Sequence, residues 1–165
     1  MKIIYDTNTV SYAYNGEKLY SFFMFKNHTI FIAQKLLKEE MKKYQKELED
    51  LELHGRLTVL LTSSKAWEIY YSISKKHPQG LSAKDLICLA IALAESLDAI
   101  ATADHQLRAA AQAEGCQPLW MLDLVGFLLD EKIFTKDEAR EFYAKAYKGS
   151  ERKFQSAIDE QLARY

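Results

Sequence analysis

The chain has 165 residues, of which 48% are hydrophobic and 27% are charged, and its formal net charge is −1. This length fits one domain of about 100–200 residues, and the composition excludes a disordered chain. The near-neutral charge excludes the broadly basic surface of a non-specific nucleic-acid binder. A local stripe of lysines (Lys35, Lys38, Lys42, Lys43 and Lys46) still leaves room for nucleic acid as a partner.

The cellular location is predicted from features that the sequence lacks. No apolar run reaches the roughly 20 residues needed to span a bilayer. The first residues do not have the basic start, apolar stretch and cleavage site of a signal peptide. Cys88 and Cys116 lie singly within apolar segments, so we expect reduced core side chains. Together these features predict a cytoplasmic protein with no membrane association.

Strand-like and helix-like segments alternate over the first 120 residues, which predicts a parallel α/β sheet. The first strand, at residues 2–5, is followed by two short helices within residues 9–26, interrupted at Asn15-Gly16. A strand at 29–33 leads into a long amphipathic helix from Gln34 to about His54, and a weaker strand follows at 58–61. Helices at 64–76 and 82–97, a strand at 98–101, a helix at 104–114 and a strand at 117–120 complete the alternation. We expect a three-layer fold with a parallel sheet of four to five strands flanked by helices.

After Trp120 the alternation stops and three helices are predicted, at residues 122–131, 136–148 and 150–163. Thr135 and Glu138 have the spacing of a capping box at the start of the second of them. We therefore expect residues 1–121 to form the α/β domain. Residues 122–165 are predicted to be a helical C-terminal extension packed on the same domain.

Acidic residues fall where the predicted strands end. Asp6 ends the first strand and Asp104 follows the fourth, while Asp85 lies in the first turn of the apolar helix at 82–97. The carboxyl ends of parallel strands are where ligands collect in α/β sheets. Each acid also has an ordinary structural explanation. Asp85 suits a capping box and Asp104 an N-cap, and Asp6 suits a turn before a helix capped by Thr7 or Asn8.

A fourth acid is expected from the long helix after the second strand. At about 100° per residue, Glu40 falls at the border of the apolar stripe and Glu39 falls on the solvated side. We therefore expect Glu40 to reach the cleft, with Glu39 left open because the helix phase can drift near an end. Asp98 is excluded because it begins its strand, and Asp123 because it is expected to be a helix N-cap.

Several segments together resemble the PIN-domain nucleases. The resemblance covers roughly residues 1–120, and its most specific part runs from Asp85 to Gly115. The matching segments are Ile3-Ile4-Tyr5-Asp6-Thr7-Asn8, Glu40-Met41, Leu81-Ser82-Ala83-Lys84-Asp85 before an Ala/Leu-rich helix, and Ala101-Thr102-Ala103-Asp104 with Leu107 and Gly115.

The resemblance implies a metal-dependent nuclease that hydrolyses phosphodiester bonds in single-stranded or structured RNA, with DNA as the less favoured substrate. The implied cofactor is Mg²⁺ or Mn²⁺, hard cations that suit oxygen ligands. Thr102 would orient a neighbouring carboxylate, and Asn8 would do the same for Asp6. VapC-type toxins resemble this chain, so an antitoxin protein is also an expected partner. Separately, the aromatic-rich segments before the second strand and in the extension are compatible with a homodimer face. The implied catalytic residues and metal ligands are Asp6, Glu40, Asp85 and Asp104.

Three other functions compete with this one. A dinucleotide-binding domain needs glycines in its first strand-to-helix turn, and none lies between Asp6 and Asn15. An aspartyl phosphotransferase would have a second acid two residues after the first, where Asn8 stands. The stronger alternative is a non-catalytic member of the same fold that binds RNA or protein. The presence of all four acids favours the active enzyme.

Overall fold

The computed structural model describes residues 1–77, 79–149 and 151–165, and the side chains of all of these except Glu151 and Arg152. Five strands form a parallel sheet in the order β3-β2-β1-β4-β5. Tyr5 of β1 lies opposite Ile32 of β2 and Ala101 of β4, so these strands end level with one another. The strands are β1 (Lys2–Tyr5), β2 (Thr29–Ala33), β3 (Thr58–Leu60), β4 (Ala99–Ala101) and β5 (Gln117–Leu119).

Helices connect the strands and then extend beyond the sheet. In the described part of the chain they are α1 (Thr7–Asn15), α2 (Gln34–Glu39), α3 (Gln45–Leu53), α4 (Ser64–Lys76), α5 (Ala83–Ala94), α6 (His105–Ala113), α7 (Met121–Asp130), α8 (Lys136–Ala146) and α9 (Glu151–Ala163), with short 3₁₀ helices at Leu19–Phe23 and Lys42–Tyr44. The predicted α/β fold with a helical C-terminal extension is confirmed. Ser150, where the last helix was expected to begin, lies outside the described residues. None of the described helices is long and apolar enough to cross a membrane.

The prediction of one continuous helix from Gln34 to about His54 is wrong. The structure ends α2 at Glu39 and restarts the helix at Gln45, with the 3₁₀ turn between them. The break allows Tyr44 to pack against α1. Its hydroxyl donates a hydrogen bond to Ser11 Oγ at 3.1 Å, and its ring lies 4.7 Å from that of Tyr14. Tertiary packing thus overrides the local amphipathic pattern.

The central strands and α5 form the core on which the candidate site lies. Ile3, Ile4 and Tyr5 are fully buried, as expected for a strand covered on both faces. Cys88 in α5 and Cys116 before β5 are free thiols and both are buried. The register of β1 and β4 brings the residues that follow Tyr5 and Ala101 to the same edge of the sheet.

The C-terminal helices pack on α1 and on the 3₁₀ helix that follows it. The ring of Phe142 in α8 lies 5.0 Å from Phe22 and 6.0 Å from Phe134. A Cβ atom added at Gly16, just after α1, would lie 2.3 Å from the ring of Phe142. Glycine is therefore required at this close approach between α1 and α8.

Candidate active site

Asp6 lies at the centre of the carboxyl edge of the sheet. Its backbone N–H donates to the carbonyl of Ala101 at 3.1 Å, which holds it beside the end of β4. Its Oδ1 accepts a hydrogen bond from the backbone N–H of Thr9 at 2.8 Å, so Asp6 is itself the N-cap of α1. The alternative explanation, in which Thr7 or Asn8 caps this helix, is wrong. Because Asp6 is the only residue between β1 and α1, the residue that follows the strand also caps the helix.

The Asp6 side chain is buried, with only 3% of its surface exposed. Burial raises its pKa to about 6, hydrogen bonds from Thr102 and Thr9 lower it in part, and the charge of Asp85 raises it further. Desolvation disfavours the charged form of a carboxyl group. A cation close to Asp6 would remove this penalty, and that is the electrostatic state expected of a metal ligand without its metal.

Thr102 connects Asp6 to Asp104. Its hydroxyl donates to Asp6 Oδ2 and accepts from the backbone N–H of Asp104 at 3.0 Å. Asp104 Oδ1 in turn accepts from the N–H of Leu107 at 2.8 Å and so caps α6. This is the geometry required for the orienting role that we expected of Thr102. Asn8 is exposed, and within the described structure it makes no hydrogen bond to Asp6.

Asp85 stands in the first turn of α5, next to the same edge. Its Oδ2 accepts from the N–H of Ser82 at 2.9 Å, while its own N–H donates to Ser82 Oγ at 3.2 Å. The expected capping box is therefore present. One turn further, burial raises the pKa of Cys88, and the charges of Asp6, Asp85 and Glu40 raise it more. These three acids therefore lie near one point in the structure.

Glu40 follows α2 and faces the starts of α1 and α5. Its Oε2 accepts from Thr7 Oγ1, and its Oε1 accepts from Lys84 Nζ at 2.8 Å. Burial raises the pKa of Glu40, but the hydrogen bonds from Lys84 and Thr7 bring it below its usual value. Glu39 lies further out, 3.8 Å from Lys35 and 3.9 Å from Lys84.

Lys84 lies next to the site, although its sequence position had not indicated a role. Its ammonium lies 2.8 Å from Glu40 Oε1 and 3.9 Å from Glu39 Oε2, and the contacts with these carboxylates raise its pKa. A basic residue in the first turn of a helix is unfavourable to the helix dipole. That local mismatch, directly before Asp85, is the signal that could have revealed it.

The side-chain atoms at this edge that could ligate a metal ion are carboxylate oxygens. One oxygen of Asp85 accepts from the Ser82 N–H and one oxygen of Asp104 caps α6. The other oxygen of each, Oδ1 of Asp85 and Oδ2 of Asp104, has no hydrogen-bond partner among the described residues. Across residues 1–77, 79–149 and 151–165, no group of three His, Cys, Asp or Glu side chains stands ready to hold a metal ion. The oxygen-only set and the burial of Asp6, which hydrogen bonds compensate only in part, fit Mg²⁺ or Mn²⁺, ions that retain several waters and do not need a complete protein cage.

The other two acids that we considered lie elsewhere or serve the backbone. Asp98 Oδ2 accepts from the N–H of Lys2 at 2.7 Å, at the amino edge of the sheet. Asp123 is not the N-cap that we expected. It is the third residue of α7, and it accepts from the N–H of Trp120 at 2.6 Å.

Comparison with known proteins gives one match. The family model described as PIN domain matches residues 3–113, which is more than half of the chain. The matched span contains Asp6, Glu40, Asp85 and Asp104, and it ends before β5 and the C-terminal helices. No curated protein and no solved structure matches the chain significantly.

Proposed function

The chain belongs to the PIN-domain family, whose members are generally nucleases, and from this premise we propose that it is a metal-dependent endonuclease that hydrolyses phosphodiester bonds in single-stranded or structured RNA. The observation that carries the proposal is the buried carboxylate of Asp6 at the centre of the sheet edge. Asp85, Asp104 and Glu40 on neighbouring elements support it.

In this proposal Asp6, Asp85 and Asp104 hold Mg²⁺ or Mn²⁺. When bound, the ion would supply Lewis-acid chemistry: activation of a water and stabilisation of the negative charge that develops on the phosphate. Thr102 holds Asp6 Oδ2 in place through its hydroxyl. Glu40 binds a second ion or positions the attacking water, and for either role it must exchange at least one of its contacts with Thr7 and Lys84.

Single-turnover cleavage of a mixed RNA pool tests the proposal. We compare wild type with Asp85→Asn, which keeps an oxygen to accept the Ser82 N–H, and with Asp98→Asn, which makes the same change at the opposite edge. Asp85→Asn should lose at least about 100-fold in rate, as expected for removing a group that stabilises transition-state charge. Wild-type cleavage should stop in EDTA and return with Mn²⁺. Equal rates in wild type and Asp85→Asn would refute the proposal.

One observation favours the non-catalytic alternative, an RNA-binding or protein-interaction module. Both carboxylate oxygens of Glu40 already have partners, Thr7 and Lys84. RNA binding by wild type without cleavage at any Mn²⁺ concentration would select this alternative.

The resemblance to VapC-type toxins extends the proposal to the toxin of a toxin–antitoxin pair. In that case, expression of wild type, but not of Asp85→Asn, should arrest bacterial growth, and a co-expressed antitoxin should restore it.

A further inference from the structure

Arg108 is a cation beside the acidic site that has no anionic partner among the described side chains. It lies in α6, where its backbone N–H donates to the carbonyl of Asp104 at 3.0 Å. Its Nε atom is enclosed and has no hydrogen-bond partner within the described part of the chain. The ion pairs among the described residues are made by other cations, such as Lys84, Lys76 and Arg140. Enclosing part of a guanidinium without an acceptor costs free energy unless a ligand supplies the acceptor.

The guanidinium lies against the ring of Trp120, 5.3 Å from its centroid. Trp120 directly follows β5, so the contact is at the carboxyl edge of the sheet. The ring is buttressed from the C-terminal extension, because Phe154 of α9 lies 5.2 Å from it. Packing against a ring fixes the planar guanidinium in one orientation.

A row of aromatic rings continues from Trp120 towards α1. Phe154 lies 4.8 Å from Tyr147, and Tyr147 lies 5.0 Å from Tyr12 of α1. Burial raises the pKa of Tyr147, and the positive charge of Arg108 opposes that rise, which places the guanidinium near this ring as well. We name these four residues, Trp120, Phe154, Tyr147 and Tyr12, the aromatic wall. Trp120, Phe154 and Tyr147 lie outside the span that matches the family model.

The acidic site alone repels a polyanionic substrate, so a nuclease of this kind needs cations beside its carboxylates. Arginine is suited to this task because its planar fork matches two phosphate oxygens. Aromatic faces add sequence-tolerant stacking with unpaired bases. Trp120, Phe154 and Tyr12 are each partly exposed, as stacking requires.

We propose that Arg108, held on Trp120, binds a backbone phosphate of single-stranded RNA next to the phosphodiester that the acidic site cleaves. This inference rests on the proposed function. The C-terminal extension then contributes to RNA binding at the same site, since Phe154 and Tyr147 belong to the aromatic wall against which the RNA lies. Arg108 is thus a substrate-binding residue and not a metal ligand.

Binding of a fluorescent single-stranded uridine decamer in EDTA tests the inference without catalysis. We compare wild type with Arg108→Gln, Arg108→Lys and the control Arg140→Gln, which removes an exposed cation of α8 paired with Asp137. Arg108→Gln should weaken binding about tenfold and reduce the slope of log K against log [salt] by about 0.7, the value for one lost contact with a single-stranded phosphate. Arg108→Lys should keep the slope but recover only part of the affinity. Arg140→Gln should bind like wild type.

Cleavage kinetics separate this inference from the proposed function. With Mn²⁺, Arg108→Gln should raise KM about tenfold and leave kcat nearly unchanged, whereas Asp85→Asn should lose kcat. Unchanged KM and salt slope in Arg108→Gln would overturn the inference even if wild type is an active nuclease. Loss of binding in Arg108→Gln with no cleavage by wild type would refute the nuclease and retain the phosphate site. If Arg108→Gln does not fold, wild-type affinity in Arg108→Lys overturns recognition by the guanidinium fork.

Discussion

Replacing Asp6 with Asn should stabilise the metal-free protein near neutral pH. The ordinary pKa of an aspartate carboxyl group is 3.8, and burial raises the pKa of Asp6 to about 6 in the folded chain. Because the folded state holds its proton more tightly, ionising Asp6 costs folding free energy once the pH exceeds the unfolded value. The cost grows between the two pKa values and reaches about 3 kcal/mol above the folded one. Asparagine cannot ionise and does not carry this cost.

The substitution also removes a favourable contact. The asparagine side chain can still accept from the Thr9 N–H, but the Thr102 hydroxyl loses its carboxylate acceptor. That loss costs about 1 kcal/mol at every pH. The variant should therefore be about 2 kcal/mol more stable than wild type at about pH 7.5. At about pH 4.5 only about 1 kcal/mol of the ionisation cost is present, so the two proteins should be nearly equal.

Urea unfolding in EDTA at the two pH values measures this difference, and a repeat in Mg²⁺ or Mn²⁺ adds the metal. A cation that binds only the folded state stabilises it by RT ln(1 + [L]/Kd). Wild type should therefore gain more stability and melting temperature from the metal than Asp6→Asn. Asp98→Asn, at the opposite edge, should follow wild type. A variant no more stable than wild type at the higher pH, or equal metal shifts in both, would refute the reasoning.

Three further substitutions test other parts of the structure. Gly16→Ala should lower stability by about 1–3 kcal/mol, because its Cβ would meet the ring of Phe142 at 2.3 Å; an unchanged melting temperature would contradict that close approach. Thr102→Val should reduce RNA cleavage about tenfold or more while the chain stays folded, because the hydrogen bonds that link Asp6 and Asp104 are lost. Full activity would show that Thr102 does not orient these carboxylates. Lys84→Met should tighten Mn²⁺ binding several-fold in a titration, because it removes the ammonium that pairs with Glu40. Weaker Mn²⁺ binding would show that the lysine supports the site instead.

The local sequence was sufficient to predict the strands and the acidic residues at their ends. Apolar runs such as the one before Asp6 are short and bounded by polar residues, so the strands were predicted to within one residue. Parallel pairing then brings Asp6 and Asp104 to one edge without further information. The first turn of α5 was predicted for a similar reason, because Ser82 and Asp85 form a local capping box.

Features that depend on distant parts of the chain could not be predicted in this way. The helix after β2 breaks because Tyr44 packs against α1, which no local pattern records. Glu40 was predicted from the apolar stripe of a continuous helix, and it lies beside Thr7 although that helix is broken. Arg108 carries no distinctive signal in the sequence. Its environment is created by Trp120 and by Phe154 of the C-terminal extension.

The double duty of the three aspartates constrains how this site can change in evolution. Asp6 and Asp104 are the N-caps of α1 and α6, and Asp85 completes the capping box of α5 by accepting from the Ser82 N–H. A lineage that abandons catalysis still needs a short polar acceptor at positions 6 and 104, since an N-cap changed to alanine costs about 1 kcal/mol. Relatives that have lost catalysis should therefore carry Asn, Ser or Thr at these positions and not apolar residues. The side chain of Glu40 bonds Thr7 and Lys84 and caps none of the described helices, so its replacement should be the earliest sequence change that accompanies lost activity.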